Sequence, residues 1–354
     1  MDLAEKLLAL TAENGFNLAG ITDIEPVLSN RDWIEQHLGR FDRRLSHDLA
    51  ANMTYLSKNR DKRADPRLLF PEAQSVLCVA IRYPTAVNGA HSIESGVRYA
   101  RYMRGADYHI EITKRLDHIM NLANQTWITE GKNPLKWKTC VDTSAILEKS
   151  WAMITGLGWI GKNSLLINQK LGSYLLLGEI LINQRVKRNP VQTKSLCGNC
   201  SRCIDNCPTK AISQTEPTLR PEKCISYQTL EKRNGIEIHS KHFGNWVAGC
   251  DICQEACPFN QAKTTRGQTE SMLYDWGALL SETPEQFKAR SHGSALSRIK
   301  PGHFSKNIAV ALSNAIKLFD QETKSSLLPL ALERFKSETD EHAILEWRKC
   351  IALF

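Results

Sequence analysis

Residues 75–83, SVLCVAIRY, form an unbroken apolar run rich in β-formers and closed by Pro84, which predicts a buried strand. Ile112, Leu116, Ile119, Ala123 and Trp127 then recur at helical spacing, predicting a helix over residues 110–130. Leu135, Trp137, Thr139 and Val141 alternate with polar neighbours, the mark of a half-buried strand, and this strand ends at Asp142. Ile146–Thr155 reads as a helix stopped by Gly156 and Gly158. Ser173–Asn183 is a second apolar strand, and residues 1–60 read as helices joined by polar loops. The alternation of strands and helices predicts an α/β domain over residues 1–185.

The texture then changes. A polar, basic linker, QRVKRNPVQTKS, leads into a segment short of aliphatic residues, so residues 186–265 must draw stability from something other than an apolar core. Residues 266–354 are helical again. Asn307–Phe319 and Ser326–Phe335 resemble one helix pair of an α-solenoid. The expected whole is a multidomain α+β protein in three parts.

Composition narrows the class. The chain has 354 residues, 42% hydrophobic and 24% charged, which excludes wholesale disorder and fibrous repeats. No apolar run approaches the ~20 residues of a membrane span; the best, Leu171–Ile182, is interrupted by Glu179. The N-terminus carries Asp2, Glu5 and Glu13 among spaced leucines, the pattern of a surface helix and not of a signal peptide, so the expected location is the cytoplasm. A net charge of +8 permits a polyanionic partner without demanding one.

The cysteines say more. Eight of the eleven fall within residues 197–257, and in a cytoplasmic chain such crowding reads as metal ligation, not disulfides. Cys197, Cys200, Cys203 and Cys207, followed by Pro208, reproduce the bacterial ferredoxin run, in which three thiolates hold one cubane and the fourth reaches the other. Cys250, Cys253 and Cys257, followed by Pro258, repeat its end, and Cys224 can supply the missing leading ligand. Eight ligands suffice for two 4Fe–4S clusters. Swapped ligation gives Cys197, Cys200, Cys203 and Cys257 to one, and Cys207, Cys224, Cys250 and Cys253 to the other. Zinc ribbons do not explain the repeated run. The three remaining cysteines, Cys78, Cys140 and Cys350, read as small buried hydrophobes.

Two clusters make an electron wire, and a wire needs an acceptor in the preceding domain. Gly156, Gly158 and Gly161 match a dinucleotide fingerprint, but a helix precedes them where that fingerprint needs a strand. Gly156, Gly161 and Lys162 match most of a P-loop, but Asn163 stands where Ser or Thr must hold magnesium. The loop reads either as a plain turn or as backbone held close to a large ligand, with Lys162, Asn163 and Ser164 as polar contacts. Asp142, at a strand end beside this loop, is a helix cap or a proton donor.

The ordered set of YARYMRGADYH over Tyr99–His109, the VDT…LEK…GLGWIGKN stretch and the doubled C-P cysteine pattern resembles the epoxyqueuosine reductases, and the resemblance runs through nearly the whole chain. It implies a cobalamin-binding domain of the nitroreductase and reductive-dehalogenase kind at 1–185, a ferredoxin-like domain with two 4Fe–4S clusters at 186–265, and a HEAT-like helical segment at 266–354. It implies a tRNA substrate whose wobble base carries an epoxide, reduced with two electrons and two protons. It places the family's proton-donating aspartate on Asp142, with a pKa raised by burial, and names Arg63 as a cofactor contact beside the glycine loop. The lack of a D-x-H-x-x-G motif fits a base-off cobalamin. Lys187, Arg188, Arg202 and Lys210 are candidate phosphate contacts. The expected protein is a monomer served by an unidentified electron donor. A dehalogenase acting on a small halogenated molecule and a pure electron carrier are the alternatives, separated by tRNA affinity and by cobalamin binding.

Overall fold

The computed structural model describes residues 2–46, 49–83, 96–214, 219–232, 234–235, 240–261 and 275–354. Pro84, expected to close the first strand, lies outside them.

The first domain is built on a four-stranded sheet. Its strands are β1 (Leu18–Asp23), β2 (Ser75–Arg82), β4 (Trp137–Cys140) and β7 (Leu175–Ile182), in the order β1-β2-β7-β4. Every pairing is antiparallel. The alternation of strands and helices along the chain therefore does not translate into parallel βαβ units. β1 was not foreseen: six residues inside a stretch dominated by helical signals give too short a pattern to stand out.

The two central strands are covered on both faces, and their side chains divide with period two. Leu77 and Val79 of β2 and Ile180 and Ile182 of β7 join the core beneath the helices Leu3–Glu13 and Tyr108–Thr129. Val76, Cys78 and Ala80 of β2 and Leu181 of β7 face the other layer, made by the helix Glu148–Ile154 and the short hairpin of β5 (Trp159–Ile160) and β6 (Leu166–Ile167). Gly178 admits the long helix, since a Cβ there would lie 2.7 Å from Cγ2 of Ile112.

The long helix begins with a side-chain cap: Asp107 accepts the backbone N–H of His109. β3 (Arg98–Tyr99), just upstream, pairs in parallel with β8 (Trp246–Ala248) of the cysteine-rich segment. Arg98 reaches Glu255 at 2.8 Å, and the Arg101 amide donates to Asp251 at 2.8 Å. This junction shares a core with the C-terminal helices, in which Tyr99, Met103 and Val247 pack among Phe304, Ile308 and Trp347.

The C-terminal region is helical, as expected, but the packing differs from the anticipated pair. The helices Pro301–Ala315 and Gln321–Ser337 form near the predicted places, yet the first packs chiefly on the last helix, Glu341–Ile351. Trp347 anchors that contact, its indole N–H donating to Ser305 at 3.0 Å. No helix among the described residues is long and apolar enough to cross a membrane. Cys78, Cys140 and Cys350 are buried in apolar cores.

Candidate functional site

The β5–β6 hairpin separates two cavities. On one side Lys162, Asn163 and Ile167 face a cavity of about 260 Å³ into which Cys197, Cys200, Cys203 and Cys257 also project. On the other, Ile160 and Ser164 face a cavity of about 340 Å³ that contains Asp142 and Arg63. The hairpin is tight because Gly158 has no side chain; a Cβ there would lie 2.1 Å from the carbonyl oxygen of Ile167. The glycine loop is thus a turn between helix and hairpin, and neither nucleotide motif has its structural context.

The four thiols in the smaller cavity are the set that swapped ligation requires. Among the described residues no three His, Cys, Asp or Glu side chains converge as single-ion ligands do. The thiols instead surround a space, the arrangement a cluster needs. The cavity wall suits sulfur ligands electrostatically. The Trp159 indole N–H points at Cys197 Sγ at 3.4 Å, and the buried Asn163 Nδ2 has no partner within the protein. Lys162 donates to the carbonyls of Gly198 and Cys200 at 2.8 and 2.9 Å, bracing the first turn of the ligand run. Lys162 and Asn163, expected beside the large ligand, line the thiol cavity, and of the three loop residues only Ser164 lines the larger one.

Cys207, Cys224, Cys250 and Cys253 form a second neighbourhood. Burial pushes the Cys250 thiol well up, and the nearby Cys224 and Cys207 push it further. The Cys253 thiol is raised by burial and by Cys250 and Cys224, and it also senses Cys203 of the first set, so the two sets adjoin. The backbone N–H of Ala211 donates to Cys207 Sγ at 3.3 Å. Arg44, on the wall of the larger cavity, lies within electrostatic reach of Cys224.

The larger cavity mixes apolar residues, among them Met53, Leu56 and Leu147, with the cations Arg40, Arg44, Arg63 and Lys149. Arg63 sits on the wall as expected and holds the Ile146 carbonyl at 3.4 Å, while its Nε is buried without a partner. His37, Arg40 and Arg44 were not anticipated, because nothing distinguishes them in sequence from an ordinary polar helix face. Burial, and then Arg40, lower the His37 pKa to about 4, leaving it neutral. An apolar wall studded with under-satisfied donors suits a large amphiphilic ligand.

Asp142 lies two residues past the end of β4 and adopts a φ of 51°, in the left-handed region that few residues other than glycine enter. Its Oδ2 lies 2.9 Å from His109 Nε2 and 3.3 Å from Arg298 Nη1. His109 Nδ1 is 2.6 Å from Asp107. A carboxylate at each ring nitrogen favours the imidazolium, in which both nitrogens donate. The Asp142 hydrogen bond leads in raising the His109 pKa, against burial, and Asp107 adds to it. Burial alone would raise the Asp142 pKa, but the His109 hydrogen bond and the Arg298 charge bring it below the usual range. Burial therefore does not act alone on Asp142, contrary to the expectation of a raised pKa: His109 and Arg298 favour its carboxylate, and Asp142 in turn favours the protonated imidazole. His109 falls within the YARYMRGADYH motif, which by itself assigns it no role. Arg298 carries no signal in the sequence; it reaches Asp142 from a position 156 residues away and also binds Glu231 at 2.8 Å.

Two adjoining thiol sets beside a cavity lined by Asp142, which His109 contacts, define an iron–sulfur oxidoreductase. Residues 196–260 match the family model "4Fe-4S double cluster binding domain", and residues 63–143 match "Epoxyqueuosine reductase QueG, DUF1730". The chain is 37% identical over 321 residues to epoxyqueuosine reductase of Synechococcus sp. (strain CC9605), covering 87% of this chain and 94% of that one. Its fold is similar to that of epoxyqueuosine reductase from Streptococcus thermophilus (TM-score 0.78, 22% identity, 99% of both chains). It is also similar to an epoxyqueuosine reductase crystallised with a tRNA-Tyr epoxyqueuosine-modified stem loop (TM-score 0.74, 24% identity, 99% of this chain and 98% of that one). The chain belongs to the epoxyqueuosine reductase family.

Proposed function

We propose that this chain reduces epoxyqueuosine to queuosine in the anticodon of tRNA, with His109 and Asp142 delivering a proton to the epoxide oxygen. The observation that carries the reading is Asp142, paired with His109 and lining a cavity divided from the cysteine thiols by one hairpin. The balance is an epoxide, two electrons and two protons giving an alkene and water. The tRNA in the crystallised relative supports the substrate. Cys197, Cys200, Cys203 and Cys257 would hold one cluster, and Cys207, Cys224, Cys250 and Cys253 the other. Arg63, Ser164 and the apolar wall would hold a base-off cobalamin, which when bound supplies the strong reductant at the epoxide carbon.

The residues then act in order. As negative charge grows on the epoxide oxygen, Asp142 Oδ2 relays the proton held on His109 Nε2. Asp107 keeps the imidazole oriented, and Arg298 keeps the carboxylate in place. General acid help of this kind is typically worth about 10²–10⁴ in rate. Residues 1–185, 186–265 and 266–354 serve as cofactor, cluster and HEAT-like helical units. The enzyme works as a cytoplasmic monomer with a separate electron donor. Of the proposed phosphate contacts, Arg188 pairs with Asp2 at 3.0 Å, and Lys210 donates to the Asp205 carbonyl at 3.0 Å, so each must exchange a protein partner for a phosphate.

The test is an anaerobic assay of the reconstituted protein with epoxyqueuosine tRNA and a chemical reductant, with and without cobalamin, followed by mass analysis of the nucleosides. Conversion only with cobalamin is expected. Conversion without it, or none with both clusters and cobalamin bound, contradicts the reading.

A further inference from the structure

The reaction consumes two protons, and the His109–Asp142 pair accounts for one. The other side of Asp142 carries a second acid. Glu148, first residue of the helix Glu148–Ile154, lines the same cavity, and its Oε1 accepts the backbone N–H of Asp142 at 2.5 Å. Behind it in the layered fold stands Glu179, in the middle of β7 and 0% exposed. Glu179 is paired in register with Cys78 of β2 on one side and Cys140 of β4 on the other. It shares the sheet face of Leu181, against which the helix of Glu148 packs. Neither of its carboxyl oxygens has a hydrogen-bond partner. A carboxylate cannot persist there, because an ionised group in an apolar core needs a partner; the uncharged acid can.

We propose that Glu148 supplies the second proton, the one that lets the oxygen leave as water, and that Glu179 behind it stays an uncharged acid, so that no fixed negative charge lies beneath the site. The step balances: the first proton makes the opened epoxide oxygen a hydroxyl, and the second, from Glu148, accompanies cleavage of the remaining C–O bond as the alkene forms. The electrons are those of the proposed reaction, on which this inference rests.

The groups facing the two acids agree. Burial raises the Glu148 pKa to about 7, and the Asp142 charge adds to the rise, against Lys149 and Arg63. Glu179 is raised further by burial and by Glu148 and Asp142. The thiols of Cys78 and Cys140 on the flanking strands are themselves raised by burial and stay neutral. Lys149 spends its ammonium on the Ser164 carbonyl at 2.8 Å and, by burial, has a pKa lowered to about 8. A raised carboxyl pKa means that Glu148 is a competent acid below about pH 7 and loses its proton above it.

The test uses the full-length reconstituted protein and its E148Q, E148D and E179Q variants. Wild-type turnover is expected to fall as pH rises through about 7. E148Q should lose about 10²-fold or more in turnover together with that limb, while keeping both clusters and cobalamin. E148D should retain the limb at a shifted pH. Independently of activity, infrared spectra at neutral pH should show a protonated carboxyl band that E179Q removes, with no loss of folding. E148Q that keeps wild-type turnover and the limb overturns the second acid, and absence of the E179Q-sensitive band overturns the uncharged state of Glu179. A wild type with no turnover contradicts the underlying function instead.

Discussion

Asp142 Oδ2 lies 2.9 Å from His109 Nε2, and the opposite ring nitrogen of His109 lies 2.6 Å from Asp107. In the proposed mechanism the imidazolium between two carboxylates stores the proton. Replacing it separates proton supply from electron supply: H109Q should lose about 10²–10⁴ in turnover while its clusters reduce at the wild-type rate, followed by visible absorbance. Cluster reduction that slows in step with turnover would place His109 elsewhere in the mechanism.

The same pair makes stability depend on pH. The His109 pKa is raised in the folded protein, so its contribution is full below its unfolded value near 6.5 and is lost as pH rises through the folded value. The Asp142 pKa is lowered, so its share is present above 3.8 and lost as pH falls through the folded value. D107N removes one of the two carboxylates and should move the alkaline loss of stability to lower pH, read from thermal melts across pH 5–9. An unchanged profile would mean that Asp107 does not hold the charge.

The cysteine sets should titrate as units. C257A should remove the cluster shared with Cys197, Cys200 and Cys203, and C207A the other, each leaving about half the iron of the reconstituted protein and one set of spectral signals. Loss of iron confined to the neighbours in sequence, with Cys257 grouped with Cys250 and Cys253, would refute the swapped ligation.

Asn163 Nδ2, with no partner within the protein, and the Trp159 indole N–H, which donates to Cys197 Sγ, are donors beside the first thiol cavity. Hydrogen bonds to cluster sulfurs stabilise the more negative, reduced state and raise the potential. N163L and W159F should therefore lower the midpoint of one cluster and leave the other unmoved, measured by potentiometric EPR. Equal shifts in both clusters would point to a general loosening of the fold.

Much of the sheet was legible in the sequence, for a definite reason. β2 and β7 are long enough for apolar runs to show, and Cys197–Cys257 carry their chemistry in their spacing. β1 was hidden by its length. The antiparallel pairing was hidden because connectivity along the chain does not give strand direction. A loop motif does not show which face of the hairpin each residue takes, so it does not reveal that Lys162 and Asn163 line the thiol cavity while Ser164 lines the larger one. Arg298 and Glu179 act through tertiary context alone: one closes the site from the C-terminal region, and the other looks in sequence like a break in an apolar strand.

The most direct test is a single turnover of pre-reduced, cobalamin-loaded enzyme on epoxyqueuosine tRNA, comparing wild type with D142N and weighing the nucleoside. The account predicts queuosine from wild type and unreacted epoxyqueuosine from D142N, with identical iron and cobalt contents. Queuosine from D142N at the wild-type rate would contradict it.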